Sequence, residues 1–537
     1  MKFIFTLSTY LFITLTTFSQ NVAYSKLQPF SNWVQAPVYD IIGKIKNNYI
    51  VHQFDKTHFL KIYNEDMELL KKVKLPFIPI ILNKRVPIDF ITYSNCFYMF
   101  WQRVNGNTIT FEAIKISDDG KLLTDVLTIA KVNFIKDGVD TSITSFFCGI
   151  KWSEDKSKIA FHNFIADTSG LIIEVKLFDK ELNNIEQNLI KIKDYDSQLD
   201  FFSNFLVTNY GDIIFARADK PIDLFINNFQ LLIKKRGAKE LMNTDVPLNE
   251  ISILLPKVKF DNEKNEILLN ALYSNNKLPV VKGFYLSKLE MQKNIIETES
   301  IKLIYHKTLK VDTTNTRWGN YKFGYNKIEL KKDGSLLLVV ETTQRDLEYD
   351  GNHTNAFIPY KPQIVPDLNI APEYEVYGSS GYFSEVNNYM PLYNTGSTTI
   401  EQPKKSYIFK DLKSYFTFIE LNAMGDLKRD TTIEIVKNIK FTSQQVPYAN
   451  RFDYNFFTHF NKNKSAGMMA FYKNLNEQYV LNKYEVINTN SFLNVEAIKA
   501  KYDYYFFDIA HAKQVEIDKI IIPILRNNKL GFAKILF

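Results

Sequence analysis

Short apolar runs recur along the chain, and polar knots separate them in pairs. The stretch "KWSEDKSKIAF" (151–161) is typical: an aromatic and a Ser open it, a polar knot with Asp155 fills the middle, and the apolar "KIAF" closes it. Two runs joined by so short a knot read as strand, tight turn and second, more apolar strand. The same pattern occurs in "VTNYGDIIFA" (207–216), "KFDNEKNEILLNA" (259–271) and "ELKKDGSLLLVVE" (329–341). Weaker versions stand at 41–54, 90–101 and 460–472. A second type of hairpin follows most of them, at 59–75, 111–129, 173–192, 283–303, 416–435 and 479–498. Two hairpins in succession make a four-stranded antiparallel unit.

The units start near 40, 88, 149, 204, 258, 328 and 454, a spacing that suits propeller blades and is too long for a helical or leucine-rich solenoid. "WSEDKSKIAF" resembles the WD40-like repeat of TolB-type propellers, with Trp152, Ser153, Asp155 and the apolar strand in their expected places. Glu154 stands where that repeat has Pro, and Ser157 or Lys156 where it has Gly. The resemblance implies an all-β fold: a single β-propeller of four-stranded antiparallel blades, and it names no subfamily. The C-terminal runs "YYFFDIA", "KIIIPILR" and "KLGFAKILF" offer three strands of a last blade, and "NVAYSKLQPF" (21–30) the fourth. Closure by the two ends removes the open sheet edges and makes eight blades, with seven the alternative. Two consecutive β-sandwiches are the rival architecture; no linker rich in Pro, Gly or Ser separates such halves.

One segment breaks the rhythm. Residues 345–403 hold six of the chain's 17 Pro and seven Tyr, with eight acidic residues against Arg345 and Lys361. A long irregular insertion in a compact repeat is either functional or unstructured. Tyr supplies contact area at low rotamer cost, so Tyr360, Tyr374, Tyr377, Tyr382, Tyr389 and Tyr393 are candidate ligand contacts. A passive insertion is the plainer reading, because Tyr is abundant throughout. Trp318 in "TRWGNYKFGY" is a further candidate, as a mouth-lining aromatic beside Tyr321 and Tyr325, against a plain core role.

Composition narrows the class. The 537 residues are 45% apolar and 15% aromatic, which supplies a large core and excludes global disorder. The formal charge is +7, yet 57 of the 66 basic residues are Lys and they are spread along the chain. So few Arg argue against nucleic-acid binding. The N-terminus, "MKFIFTLSTYLFITLTTFSQN", reads as a secretory signal peptide over 1–19, with the mature domain at 20–537. No other long apolar stretch follows, so the mature chain is expected to lack a transmembrane segment and to be exported to the periplasm, the cell surface or the medium. Cys96 and Cys148 lie in strand-like runs and read as buried thiols.

Linear searches for chemistry return little. His52, His58, His162, His306, His353, His459 and His511 are scattered, with His52 and His58 in apparent strand and turn positions. "GSSG" (378–381) lacks the context of a nucleophile elbow, and Asp261, Glu263 and Glu266 lack a calcium loop. "DDG" (118–120) and "KDG" (332–334) are turn chemistry. No cofactor and no metal is implied. The reading is an exported propeller that binds or scaffolds a protein or an envelope polysaccharide. The alternative is a propeller-type glycan-active hydrolase or lyase with its site at the central mouth, where groups from separate blades meet invisibly to a linear search. A third reading, a subunit of an envelope complex, calls for a broad exposed apolar patch.

Overall fold

A computed structural model describes residues 22–30, 38–80, 88–105, 108–133, 148–167, 170–192, 194–195, 200–219, 225–275, 281–291, 296–305, 321–331, 333–348, 408–442, 454–460, 466–473, 479–486, 492–498, 506–508, 511–526 and 529–536. All regular structure among them is β. After β1 (Val22–Tyr24) and β2 (Gln28–Pro29), the first sheet is β3 (Val38–Ile45), β4 (Asn48–Asp55), β5 (Thr57–Tyr63) and β6 (Leu69–Lys74). The second is β7 (Ile88–Thr92), β8 (Cys96–Asn105), β9 (Thr108–Ser117) and β10 (Leu127–Asn133). The third is β11 (Cys148–Trp152), β12 (Lys158–Asp167), β13 (Gly170–Asp179) and β14 (Asn184–Ile192). The fourth is β15 (Asp200–Val207), β16 (Ile213–Asp219), β17 (Phe229–Lys234) and β18 (Met242–Asp245). The fifth is β19 (Ile251–Asp261), β20 (Glu266–Asn275), β21 (Val281–Met291) and β22 (Ile296–Tyr305). The sixth is β23 (Tyr321–Leu330), β24 (Leu336–Glu348), β25 (Ile408–Leu421) and β26 (Leu427–Thr442), and the seventh is β27 (Tyr454–Phe460), β28 (Ala466–Lys473), β29 (Tyr479–Val486) and β30 (Phe492–Ile498). The eighth sheet joins both ends of the chain. There β31 (Phe506–Phe507) and β32 (Lys513–Glu516) pair with β33 (Lys519–Arg526), β33 with β34 (Lys529–Leu536), and β34 with β1 and β2.

First strands of successive sheets touch: β3 meets β7, β11 meets β15, β15 meets β19, β19 meets β23, and β32 meets β3. They are therefore the innermost strands about a common axis, and the fold is a β-propeller closed by its N- and C-terminal strands. Apolar clusters fill the seams between neighbouring sheets. Tyr39, Tyr49, Tyr63 and Met67 of the first sheet, for example, pack on Ile521, Leu530 and Phe532 of the eighth. Burial on both faces explains why β20 reads as a near-continuous apolar run rather than an alternating one.

One turn recurs at one end of the ring. In the turns beginning at Asn64, Ser117, Asp179, Thr208, Lys331 and Asn422, the first residue's N–H donates to the fifth residue's carbonyl, and the fourth N–H donates to the first carbonyl. The fourth position has positive φ, and it is Gly120, Gly211, Gly334, Gly425, Met67 or Leu182. "WSEDKSKIAF" carries a version one residue longer. Its Lys156 has φ 58° and so takes the place of the usual Gly. Ser153 Oγ donates to Asp155 Oδ1 at 2.6 Å and accepts from Lys158 N–H at 3.0 Å, so the motif's Ser and Asp build the turn.

The fourth position also sets how closely sheets approach. A Cβ on Gly211 (φ 95°) would lie 2.8 Å from Leu177 Cδ2 of the neighbouring sheet, whereas Met67 at the same turn position fills a seam. Gly211→Ala combines backbone strain with overpacking and is expected to cost about 2–3 kcal/mol, read as a lower urea midpoint. An unchanged midpoint would refute the close approach.

The sixth sheet corrects the insertion's bounds. Strand β24 runs on to Glu348, opposite Ile408, so the connection spans 349–407 rather than 345–403. Residues 336–343 pair with 414–421, and 408–411 pair with 345–348 across a register shift. In the fourth sheet, β17 and β18 form a further hairpin, beyond those that the pattern of apolar runs predicts. Cys96 is a buried free thiol, and burial pushes its pKa up. No helix among the described residues is long and apolar enough to cross a membrane.

Candidate functional site

Antiparallel order puts the β4–β5-type and sheet-to-sheet connections at one end of the ring and the tight turns at the other. The longest connections, 134–147, 306–320 and 349–407, all leave from the first of these ends. Trp318 and the six candidate Tyr residues (Tyr360, Tyr374, Tyr377, Tyr382, Tyr389 and Tyr393) belong to two of these connections and lie outside the described residues, as does the signal-like segment. Tyr321 begins β23 and Tyr325 lies midway along it.

At the same end, three side chains of the first sheet meet. Asp40 lies directly across from His52, and His52 across from Leu60; His58 precedes Leu60 by two and so shares that face. Asp40 Oδ2 lies 2.9 Å from His52 Nδ1, and His52 Nε2 lies 2.9 Å from His58 Nδ1. All three are buried, at 2%, 1% and 3% exposure. Phe90 packs at 5.9 Å from His52, and Phe54 at 4.8 Å from His58. His58 is thus the second residue of β5 and not a turn residue.

Two proton orders suit these contacts: Asp40 accepts from His52 Nδ1–H while His58 Nδ1–H donates to His52 Nε2, or His52 Nε2–H donates to His58 Nδ1 and a proton stays on His58 Nε2, with the Pro79 carbonyl beside the ring. Burial pushes the His58 pKa down to about 3, His52 adds to this, and the Pro79 carbonyl and Asp40 oppose it. The three side chains thus form a buried hydrogen-bonded row in which burial keeps His58 neutral.

The opposite face of β3 carries a second carboxylate–histidine pair. Tyr39 Oη donates to Asp508, and His511 Nδ1 lies 2.8 Å from Asp508 Oδ2, in the seam between the first and eighth sheets. The Tyr39 and His511 rings meet edge to face at 5.6 Å. Further round, Gln53 Oε1, His162 Nδ1 and both amide atoms of Asn163 are buried without hydrogen-bond partners. His162 stacks on Phe205 at 4.1 Å, and burial, with Lys151 adding, pushes its pKa down to about 3. Among the described residues, no group of three or more His, Cys, Asp or Glu is arranged to hold a metal ion.

The structure thus gathers His52, His58 and Asp40, joins His511 to Asp508, and leaves His162 apart. The readable signal for the first group was a pair of histidines flanking the short turn in "VHQFDKTHF", which a hairpin register places on one face.

No protein-family model and no curated protein sequence matches the chain. Among solved structures, it is similar to a polysaccharide lyase of family 25, an ulvan lyase, at 7% identity over 82% of this chain and 90% of that one, with a TM-score of 0.37. It is similar to prolyl oligopeptidase B from Galerina marginata at 8% identity over 94% of this chain and 55% of that one, with a TM-score of 0.36. A thermostable family-43 glycoside hydrolase is similar at 10% identity over 50% of this chain and 96% of its own, with a TM-score of 0.23.

Proposed function

We propose that the chain is an exported propeller that takes a glycan at its long-connection end, with Asp40, His52 and His58 moving a proton there. The observation behind this reading is the buried Asp40–His52–His58 row at that end, joined by two contacts of 2.9 Å. Among the polar groups at that end, His58 and His162 are held neutral and Gln53 and Asn163 are amides, beside the charged pairs Arg103–Glu112 and Arg217–Asp200. The neutral donors and acceptors among them suit hydroxyl groups. The Tyr-rich connection would add stacking area. TolB-like ancestry of the 151–161 repeat belongs to the same proposal and leaves the ligand open. The second reading is a binding module without chemistry, and the depth of His58 favours it: a buried imidazole needs its cover to open before it meets a substrate.

A panel of neutral and uronate-containing polysaccharides separates these readings, with gel retardation reporting binding and reducing-end release reporting cleavage. Positioned acid–base groups contribute about 10²–10⁴-fold in rate. The His58→Asn variant is therefore expected to lose at least about 100-fold in release rate while its retardation is unchanged. Equal rates in the variant would refute the role of His58. Retardation without release in the native protein would leave the binding module, and no retardation on any polymer would end the glycan reading.

A further inference from the structure

Three lysines share one face of the outer hairpin of the first sheet. In the pairing of β5 with β6, Lys61 lies directly across from Lys72, and Phe59 directly across from Lys74. Phe59 and Lys61 are two residues apart, so all four side chains stand on the same face, the one turned toward the eighth sheet with Tyr49 and Val51. It is the opposite face from that of the Asp40–His52–His58 row. Lys72 Nζ sits 3.9 Å from the centroid of the Phe59 ring, and Lys72 and Lys74 are exposed. Lys61 is only 3% exposed, and its Nζ donates to Gln28 Oε1 at 2.6 Å. Gln28 belongs to β2, which pairs with β34 on the outer side of the eighth sheet. The group therefore stands at the outer side of the seam between the first and eighth sheets.

The arrangement is rich in donors and poor in acceptors. Like charges directly across a strand pair repel, and a buried ammonium that meets only a neutral amide is left short of the solvation it has in water. Among the described residues, no carboxylate hydrogen-bonds or ion-pairs with Lys61, Lys72 or Lys74. Burial first and then the charge of Lys72 push the Lys61 pKa down to about 8, with Asp55, on the same face of β4, opposing. With Gln28 Oε1 turned onto Lys61, the amide leaves its Nε2 as a further donor. Strands β2, β5 and β6 thus each contribute a donor, and an oxyanion that joins them removes the repulsion and completes the shell of the Lys61 ammonium. We infer that Lys61, Lys72 and Gln28 form a binding site for a small tetrahedral oxyanion, sulfate or phosphate, on the outer side of the ring, with Lys74 adding charge at its edge. The site does not depend on the glycan reading.

Calorimetric titration of the full chain with inorganic sulfate and with phosphate, in a chloride buffer of constant ionic strength at pH 7, tests this. One saturable site is expected, weakened at least about tenfold by Lys61→Met and by Lys72→Met, each of which removes one charge-assisted contact. Lys72 is exposed, so its variant reports on binding whether or not Lys61→Met folds. Lys72→Arg keeps the cation and should retain binding. Lys71 is also exposed but stands on the other face of β6, across from Ile62, so Lys71→Met should change nothing. No saturable heat with either anion, weakening by Lys71→Met equal to that by Lys72→Met, or an unweakened Lys72→Met would each overturn the proposal. Binding of one anion without the other would identify which of the two the site takes.

Discussion

Deleting Leu530–Phe537 is expected to abolish cooperative folding and to send the protein into aggregates. Strand β34 is interior to the eighth sheet. It pairs with β33 from Lys519↔Leu536 to Arg526↔Lys529, and with the N-terminal strands from Val22↔Ile535 to Pro29↔Lys529. Ser25 N–H donates to the Phe532 carbonyl at 2.8 Å and Ser25 Oγ accepts from Phe532 N–H at 2.8 Å, so the two chain ends are stitched by backbone as well as by side chains. Leu530, Phe532, Ala533 and Ile535 are buried. Lys534 bonds Glu65 at 2.6 Å, in a hub where Glu65 also meets Lys44 at 2.5 Å, Lys519 at 3.2 Å and the Tyr49 hydroxyl at 2.7 Å. Losing one buried Phe costs about 3–5 kcal/mol, and a whole domain holds about 5–15 kcal/mol. Removal of the strand therefore exceeds the margin, and it bares two sheet edges to intermolecular pairing. Phe532→Ala is the graded version, expected to cost about 3–5 kcal/mol. Circular dichroism melts and size-exclusion chromatography read both. A truncated chain that stays monomeric with its melting midpoint unchanged would show that these segments do not hold the ring.

The hairpins were legible because each advertises itself locally. A short polar residue opens the turn, a Gly or its substitute follows three places later, and apolar runs flank both. The second hairpin of the fourth sheet was hidden because "KKRGAKE" replaces that signature with charge. Strand β32, "KQVE", was hidden because it has no apolar run at all. The site failed to show for a different reason. Strands bring residues together by register rather than by linear spacing, and one slipped residue moves a side chain to the other face. Asp40 faces His52 only because the bulge at Ile41–Gly43 lies beyond them. Tyr39 and Asp508 stand 469 positions apart and meet only when the ring closes. Nothing local in the sequence encodes that meeting.

Acid should weaken the fold well above the range in which carboxylates titrate. His58 and His162 have pKa values pushed from 6.5 down to about 3, so each is neutral in the folded chain at pH 5 to 6. The unfolded chain binds a proton at each below about 6.5. Between pH 6.5 and 3 the unfolded state thus holds more protons, and stability rises with pH in that window; it is fully present above 6.5 and lost as the pH falls. Each histidine contributes a slope of about 1.4 kcal/mol per pH unit, so the pair should cost about 3 kcal/mol on going from pH 7.5 to 5.5. Carboxylates held low, such as Glu65 and Glu420, add their own loss only below about pH 4.5, which leaves the upper window to the histidines. Urea midpoints at pH 7.5, 6.5 and 5.5 read the slope. Replacing His162, which stacks on Phe205 and makes no hydrogen bond through Nδ1, by Phe should remove about half of it. His58 shares its proton order with His52 and Asp40, so His58→Asn should remove the other half and at the same time break the chain on which the proposed chemistry depends. A midpoint constant from pH 7.5 to 5.5 would mean that both histidines accept protons inside the folded ring at no cost, and burial would not be holding His58 and His162 neutral.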